Sequence, residues 1–176
     1  MAMSIRAARP DDGATLQAIE RAAGERFRDV GLGFVADHDP GSTDELAAYA
    51  ADGRSWVAVD DADIPVGYVL ADVVDGNGHV EQVSVLPDRQ GTGIGRALVD
   101  RVRDWADADG LTALTLTTFT DVAWNRPLYE HLGFRVLADD EIGPELRALM
   151  AAEAAHGLDP ATRVAMRIDV TPPVSG

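Results

Sequence analysis

At 176 residues and 46% hydrophobic, the chain suits one domain with a full core, and no apolar run approaches the ~18 residues needed to span a bilayer. A net charge of −15 and a pI near 4.4 argue against a nucleic-acid surface, which needs basic groups for phosphates. Cysteine is absent, so disulfides, thiolate metal sites and an acyl-cysteine intermediate are excluded.

Ser4 to Ala8 reads as a first strand. Asp11 or Asp12 then caps a helix in which Leu16, Ile19, Ala23 and Phe27 share one stripe. Arg28 to Pro40 mixes glycine with polar residues and reads as a loop. Ser42 and Glu45 form a capping box before a second helix carrying Leu46, Tyr49 and Ala50. Ser55–Asp60 and Pro65–Val74 are strands, and the second closes on a D-G-N-G turn at Asp75–Gly78 that predicts a hairpin with the strand after it.

The next segment, VEQVSVLPDRQGTGIGR from Val80 to Arg96, carries the strongest chemistry. A β-branched strand passes through a polar loop into glycines that open an amphipathic helix. The first N–H groups of a helix have no internal acceptor and sit at the positive end of its dipole, so they attract anions. Gly91, Gly93 and Gly95 keep Cβ atoms out of the way, and a phosphate-bearing ligand is expected here. A Walker loop needs lysine, yet all fifteen basic residues are arginine. A dinucleotide fingerprint needs a third glycine where Arg96 stands.

Ile94, Leu98, Val102 and Trp105 form the buried stripe of that third helix, with Arg96, Asp100, Arg103 and Asp107 outside and Gly110 at its end. Arg89, Arg96, Arg101 and Arg103 are expected to make the loop locally less acidic than the chain as a whole. Leu111–Phe119 is a strand parallel to the one before the helix. A helix around Trp124–Leu132 stops at Gly133, and another strand starts at Phe134. Pro144–Pro160 adds an extra helix and Arg163 begins a final strand, giving one domain over residues 1–170 and a flexible tail over 171–176. The four histidines show no paired spacing, so no metal is expected. The opening MAMSIRAARP lacks an apolar signal core, so a cytoplasmic protein is expected, with neither membrane nor nucleic acid as partner.

VSVLPDRQGTGIGR followed by WNRPLYEHLGF resembles motifs A and B of the GCN5-related N-acetyltransferase (GNAT) superfamily, and the likeness runs from Ile5 to Arg135. It implies an α/β fold (an α+β mixed sheet) in which helices flank a central sheet whose parallel strands, His79–Leu86 and Leu111–Phe119, splay apart. It further implies acetyl-CoA as cosubstrate. Its pyrophosphate would lie on Gln90, Gly91, Thr92, Gly93, Ile94, Gly95 and Arg96, its pantetheine arm on the main chain of Val83 and Val85. By the same likeness Asn125 contacts the arm or the adenine side, and Tyr129 is the general acid for the departing thiolate.

No G-x-S-x-G elbow surrounds a serine, so direct attack by a primary amine in a ternary complex is the simplest chemistry. The base is left open between Glu81, His79 and an ordered water, because His79, Glu81, Val83 and Val85 share one strand face. A Glu81 enclosed by apolar neighbours would suit a base, while one facing solvent would bind a cationic acceptor or do nothing. Glu20, Glu25, Phe27, Phe34, Asp139, Asp140 and Glu141 lie in the elements around the acceptor, which the sequence does not identify as a small molecule or a protein. The competing reading is a CoA-binding regulatory module without turnover. Ile142, Leu146, Leu149 and Met150 are an apolar surface expected either to seat a second copy in a homodimer or to cover the domain's own sheet.

Overall fold

The computed structural model describes residues 3–170, so the tail expected over 171–176 lies outside the described residues. Seven strands form one mixed sheet: β1 (Ser4–Ala7), β2 (Ser55–Val59), β3 (Pro65–Val74), β4 (Asn77–Val85), β5 (Ala113–Phe119), β6 (Arg135–Val136) and β7 (Arg163–Asp169), in the order β1-β2-β3-β4-β5-β7-β6. The helices are α1 (Gly13–Gly24), α2 (Gly33–Ala36), α3 (Thr43–Ala51), α4 (Ile94–Ala108), α5 (Arg126–His131) and α6 (Pro144–Ala155). The residues group into two compact units, one of Met1–Ala71 with Glu81–Val102, the other of Asp72–Val80 with Arg103–Gly176.

In the first unit β1 pairs antiparallel with β2, and β2 with β3. Every residue of β2 is buried, as are Pro65 to Ala71 of β3, so these strands read as continuous apolar runs rather than alternating ones. Leu16 and Ile19 of α1 and Leu46 of α3 pack against Val57, Val59, Tyr68 and Leu70. At Gly67 a Cβ would meet the Ser84 carbonyl at 3.1 Å and Ile94 at 3.2 Å, so glycine here lets β4 and α4 come close. The capping box forms as expected: Ser42 Oγ accepts from Glu45 N at 3.1 Å, and Glu45 Oε2 accepts from Ser42 N at 2.8 Å.

Asp12 departs from the expected cap. It caps no helix N–H with its side chain; its Oδ2 accepts from Arg9 N at 2.7 Å and pairs with Arg6 Nη1 at 2.9 Å. A short 3₁₀ turn, Pro10–Asp12, leads into α1 and makes Arg9 the entry residue. Residues 28–40 are also more ordered than a loop, because a 3₁₀ turn at Glu25–Val30 and α2 occupy most of them.

In the second unit β5 pairs antiparallel with β7 along its whole length, and β6 joins β7 at Arg135 and Val136. Gly78 and His79 pair in parallel register with Leu114 and Thr115. Ala106, not Trp105, is the fully buried residue in the last turns of α4. The apolar surface expected either to seat a second copy or to cover the sheet is used internally: Leu146 is buried with Val74, Leu137 and Ala165, and Ile142, Leu149 and Met150 pack against that cluster.

The start of α6 is held by the hairpin turn between β3 and β4. Asp75 and Gly76 have φ of 51° and 73°, as a two-residue hairpin turn of the primed type requires. The Asp75 carboxylate accepts from Glu145 N and Leu146 N, both at 2.9 Å, and the Glu145 carboxylate accepts from Asp75 N at 2.9 Å. This is a capping box built between two segments distant in sequence. A Cβ at Gly143 would overlap the Asp75 carboxylate, so only glycine lets the two approach. Losing a cap costs ~1–2 kcal/mol. Asp75→Ala is expected to lower unfolding free energy by about that amount, read as a fall in the urea midpoint with an unchanged slope, and Gly143→Ala should do the same by displacing the carboxylate.

Candidate active site

The loop between β4 and α4 is set by three local devices. A 3₁₀ turn at Pro87–Arg89 reverses the chain, and Thr92 Oγ1 donates to Arg89 O at 2.5 Å. Gly91 and Gly93 have φ of 75° and 88°, in the left-handed region that costs other residues roughly 1–2 kcal/mol. Gln90 is held at both ends: its Nε2 donates to Val85 O at 3.0 Å, and its Oε1 accepts from Arg26 Nη1 at 3.0 Å. The first helical bond of α4 runs from Ala97 N to Gly93 O at 3.0 Å. The N–H groups of Ile94, Gly95 and Arg96 precede it and have no acceptor within the helix. No Cβ placed at Gly91 or Gly93 would touch anything within 4 Å, so the approach to these N–H groups is clear.

This arrangement adds a reason for the glycines. Gly91 and Gly93 are needed first for their backbone conformation and second for the space they leave. Gln90, expected as a ligand contact, also has a structural use: its side chain ties the end of β4 to the turn after α1. Beside it a cleft of about 390 Å³ opens, walled by Arg26, Arg28, Pro87 and Gln90. Of the four arginines expected around the loop, two have other uses. Arg101 lies over the Trp56 ring at 5.1 Å, and Arg103 donates to the Val170 and Asp169 carbonyls at 3.2 and 3.0 Å. Arg96 is exposed beside Asp100, and the half-buried Arg89 lies beside Asp88.

In the other unit, Asn125 stands one residue ahead of α5 rather than within it. Its Oδ1 accepts from Thr118 Oγ1 at 2.6 Å and from Phe119 N at 3.3 Å. A backbone N–H can only donate, so this contact fixes which end of the amide is oxygen. The Asn125 Nδ2 is left pointing away with its two donors. Tyr129 is half-buried, with its ring edge-on to Phe134 at 5.7 Å, and its carbonyl accepts from Phe134 N at 2.9 Å. Gly133, with φ of 104°, lets the chain turn back to make that bond.

The two side chains weighed as base differ sharply. Glu81 is exposed, not enclosed by apolar neighbours, because the buried stretch of β4 ends at Val80. His79 is 1% exposed, and its Nδ1 lies 2.8 Å from Thr115 Oγ1. Burial pushes its pKa below 6.5 against the pull of Asp72 and Glu153, so the ring is neutral and part of the core. Glu20 was one of several acidic candidates around the acceptor; its Oε2 accepts from the Tyr68 hydroxyl at 2.8 Å, a contact the sequence did not signal. Among the described residues no three acidic or histidine side chains gather as a metal site, and no helix is long and apolar enough to cross a membrane.

The model of the acetyltransferase (GNAT) family matches residues 16–134. The chain belongs to this family, and its class is that of an acyl-CoA-dependent acetyltransferase. It is 30% identical to the peptidyl-lysine N-acetyltransferase YjaB of Salmonella typhimurium over 143 residues, covering 81% of this chain and 90% of that protein. It is 33% identical to the mycothiol acetyltransferase of Beutenbergia cavernae over 133 residues, which are 75% of this chain but 38% of that longer protein. The PaiA N-acetyltransferase of Thermoplasma acidophilum, solved in complex with coenzyme A, shares the fold with a TM-score of 0.72 at 14% identity, over 96% of this chain and 99% of that one.

The buried histidine has a measurable consequence. An unfolded His79 takes up a proton below about 6.5, whereas the folded one does so only at lower pH. Its contribution to stability is therefore complete above that value and falls as pH drops below it, by up to ~1.4 kcal/mol per pH unit. In urea unfolding at pH 7.5 and 5.5, the wild type is expected to lose more stability than His79→Gln between the two conditions.

Proposed function

We infer that the chain transfers an acetyl group from acetyl-CoA to a primary amine by direct attack in a ternary complex. The observation that carries this is the loop before α4: two left-handed glycines, a glutamine brace and three helix N–H groups with a clear approach, in a member of the GNAT family. Such a group of donors fits a pyrophosphate, with Thr92, Ile94, Gly95 and Arg96 offering main-chain N–H groups. Val83 contributes an N–H and Val85 a carbonyl to the pantetheine arm. The Val85 carbonyl already accepts from Gln90, and its second lone pair serves the arm. The Nδ2 of Asn125 supplies a further donor to the cofactor.

In this reading the N–H of Val83 stabilises the oxyanion as the amine attacks the thioester carbon, and Tyr129 gives its phenolic proton to the departing thiolate. The lysine side chain is the first acceptor to test, because a relative covering most of this chain is named for peptidyl-lysine. Binding is read by melting: acetyl-CoA at a hundredfold excess over Kd should raise stability by ~2.7 kcal/mol. Binding without thiol release from any amine would favour a CoA-responsive regulatory module instead.

Two variants divide the cofactor site from the chemistry. Gly93→Val forces a branched residue into a left-handed conformation and crowds the N–H groups, so it should abolish acetyl-CoA binding in calorimetry for ~1–2 kcal/mol of stability. Unchanged affinity would place the pyrophosphate elsewhere. Tyr129→Phe keeps the ring against Phe134, so melting and acetyl-CoA affinity should hold while kcat drops ~10²–10⁴-fold. Wild-type turnover in that variant would overturn the acid assignment.

A further inference from the structure

An alkyl amine reaches an enzyme near neutrality as ammonium and must lose a proton before it can attack. Glu81 is exposed and His79 is sealed in the core, so neither is an enclosed base at the surface of a site. The first unit holds a third candidate at the end of a polar chain that crosses three elements. Gln82 Nε2 donates to Ser84 Oγ at 2.8 Å, Ser84 eases the upward push that burial gives the Tyr68 phenol, and the Tyr68 hydroxyl donates to Glu20 Oε2 at 2.8 Å. Tyr68 is 0% exposed and Ser84 6%, so this chain runs inside the wall between β4, β3 and α1. Burying such hydroxyls is unfavourable unless they are bonded, and a phenylalanine and an alanine would fill the same space without that cost. Their effect is to fix one carboxylate oxygen.

The other oxygen is open. Among the described residues Glu20 Oε1 has no hydrogen-bond partner, and it is not one of the sealed polar atoms. Ser84 of β4 lies between Val83 and Val85, the residues assigned above to the pantetheine arm. We propose that Glu20 receives the acceptor ammonium and takes its proton, with Tyr68 and Ser84 as its positioning residues; this rests on the acetyl-transfer reading. Burial raises the Glu20 carboxyl above the usual range, while the Tyr68 hydroxyl and the charges of His38 and Arg21 pull it back. A carboxylate so placed accepts a proton more readily than an exposed one.

The ammonium gives one proton to Glu20 Oε1, which passes it to solvent. The neutral nitrogen forms a bond to the thioester carbon, the C–S bond breaks, the nitrogen sheds its second proton, and the thiolate is protonated. One amide, one CoA thiol and one solvent proton result.

The test measures free-thiol release with acetyl-CoA and either a lysine-containing peptide or spermidine as acceptor. Glu20→Gln should lower kcat/KM for the amine at least ~10²-fold at pH 7, within the range for a lost acid–base group, and leave acetyl-CoA affinity unchanged. The deficit should narrow as pH rises, because the amine then deprotonates unaided. Tyr68→Phe removes the donor that holds the carboxyl down, so the acidic limb of the pH–rate profile should move to higher pH. A merely structural role would change stability without moving that limb. Glu20→Gln with wild-type kcat/KM, or a limb unmoved in Tyr68→Phe, overturns the assignment while leaving acetyl transfer intact. A wild type that turns over neither amine overturns the acetyl-transfer reading and this one with it.

Discussion

A helix can offer its first N–H groups to a phosphate only if the chain before it turns back without closing over them. Everything between Val85 and Ala97 answers that constraint. The left-handed glycines at 91 and 93 make the reversal, and the space beside them is open. Glycine alone would leave the segment floppy, since it loses the most backbone freedom on ordering. Gln90 supplies the rigidity, because a side chain bonded at one end to β4 and at the other to Arg26 holds the turn against two fixed elements.

The second unit uses the same device twice. Asn125 joins the end of β5 to the start of α5 through its carbonyl oxygen, which leaves the nitrogen end for another acceptor. Asp75 joins a hairpin turn to the start of α6, and Glu145 returns the bond. In each case a short side chain satisfies N–H groups that would otherwise be orphaned at a chain reversal. Polar satisfaction and positioning are the same act here. That explains why residues that look like ligand contacts in the sequence also carry structure.

What the sequence disclosed follows from how local each interaction is. The Ser42–Glu45 box, the helix stop at Gly110 and the hairpin at Asp75 are written within a few residues, and all formed. The glycine loop was legible for the same reason, since its strand, turn and helix are contiguous. The reciprocal cap of Asp75 on Glu145 was not, because its two halves lie 70 residues apart and each alone is an ordinary surface acid. Arg101 and Arg103 looked like loop cations by position along α4, yet a ring and two carbonyls take them. His79 and Glu81 share a strand face by alternation, but alternation does not say where burial stops. The Gln82–Ser84–Tyr68–Glu20 chain draws on three elements, and no periodicity announces it.

The charge of the molecule bears on its choice of phosphate ligand groups. With a net charge of −15 and no lysine, a long-range field would repel an anionic cofactor. Beyond ~8 Å at physiological salt that field is screened, so only the groups lining the loop decide. Most cationic side chains near it are engaged with carboxylates or rings, as Arg28 is with Glu25 and Asp37, and Arg101 with Trp56. Main-chain N–H groups cannot be drawn off in this way. Their dipoles are fixed by the helix and do not titrate, so an acidic surface can coexist with an anion site a few residues long.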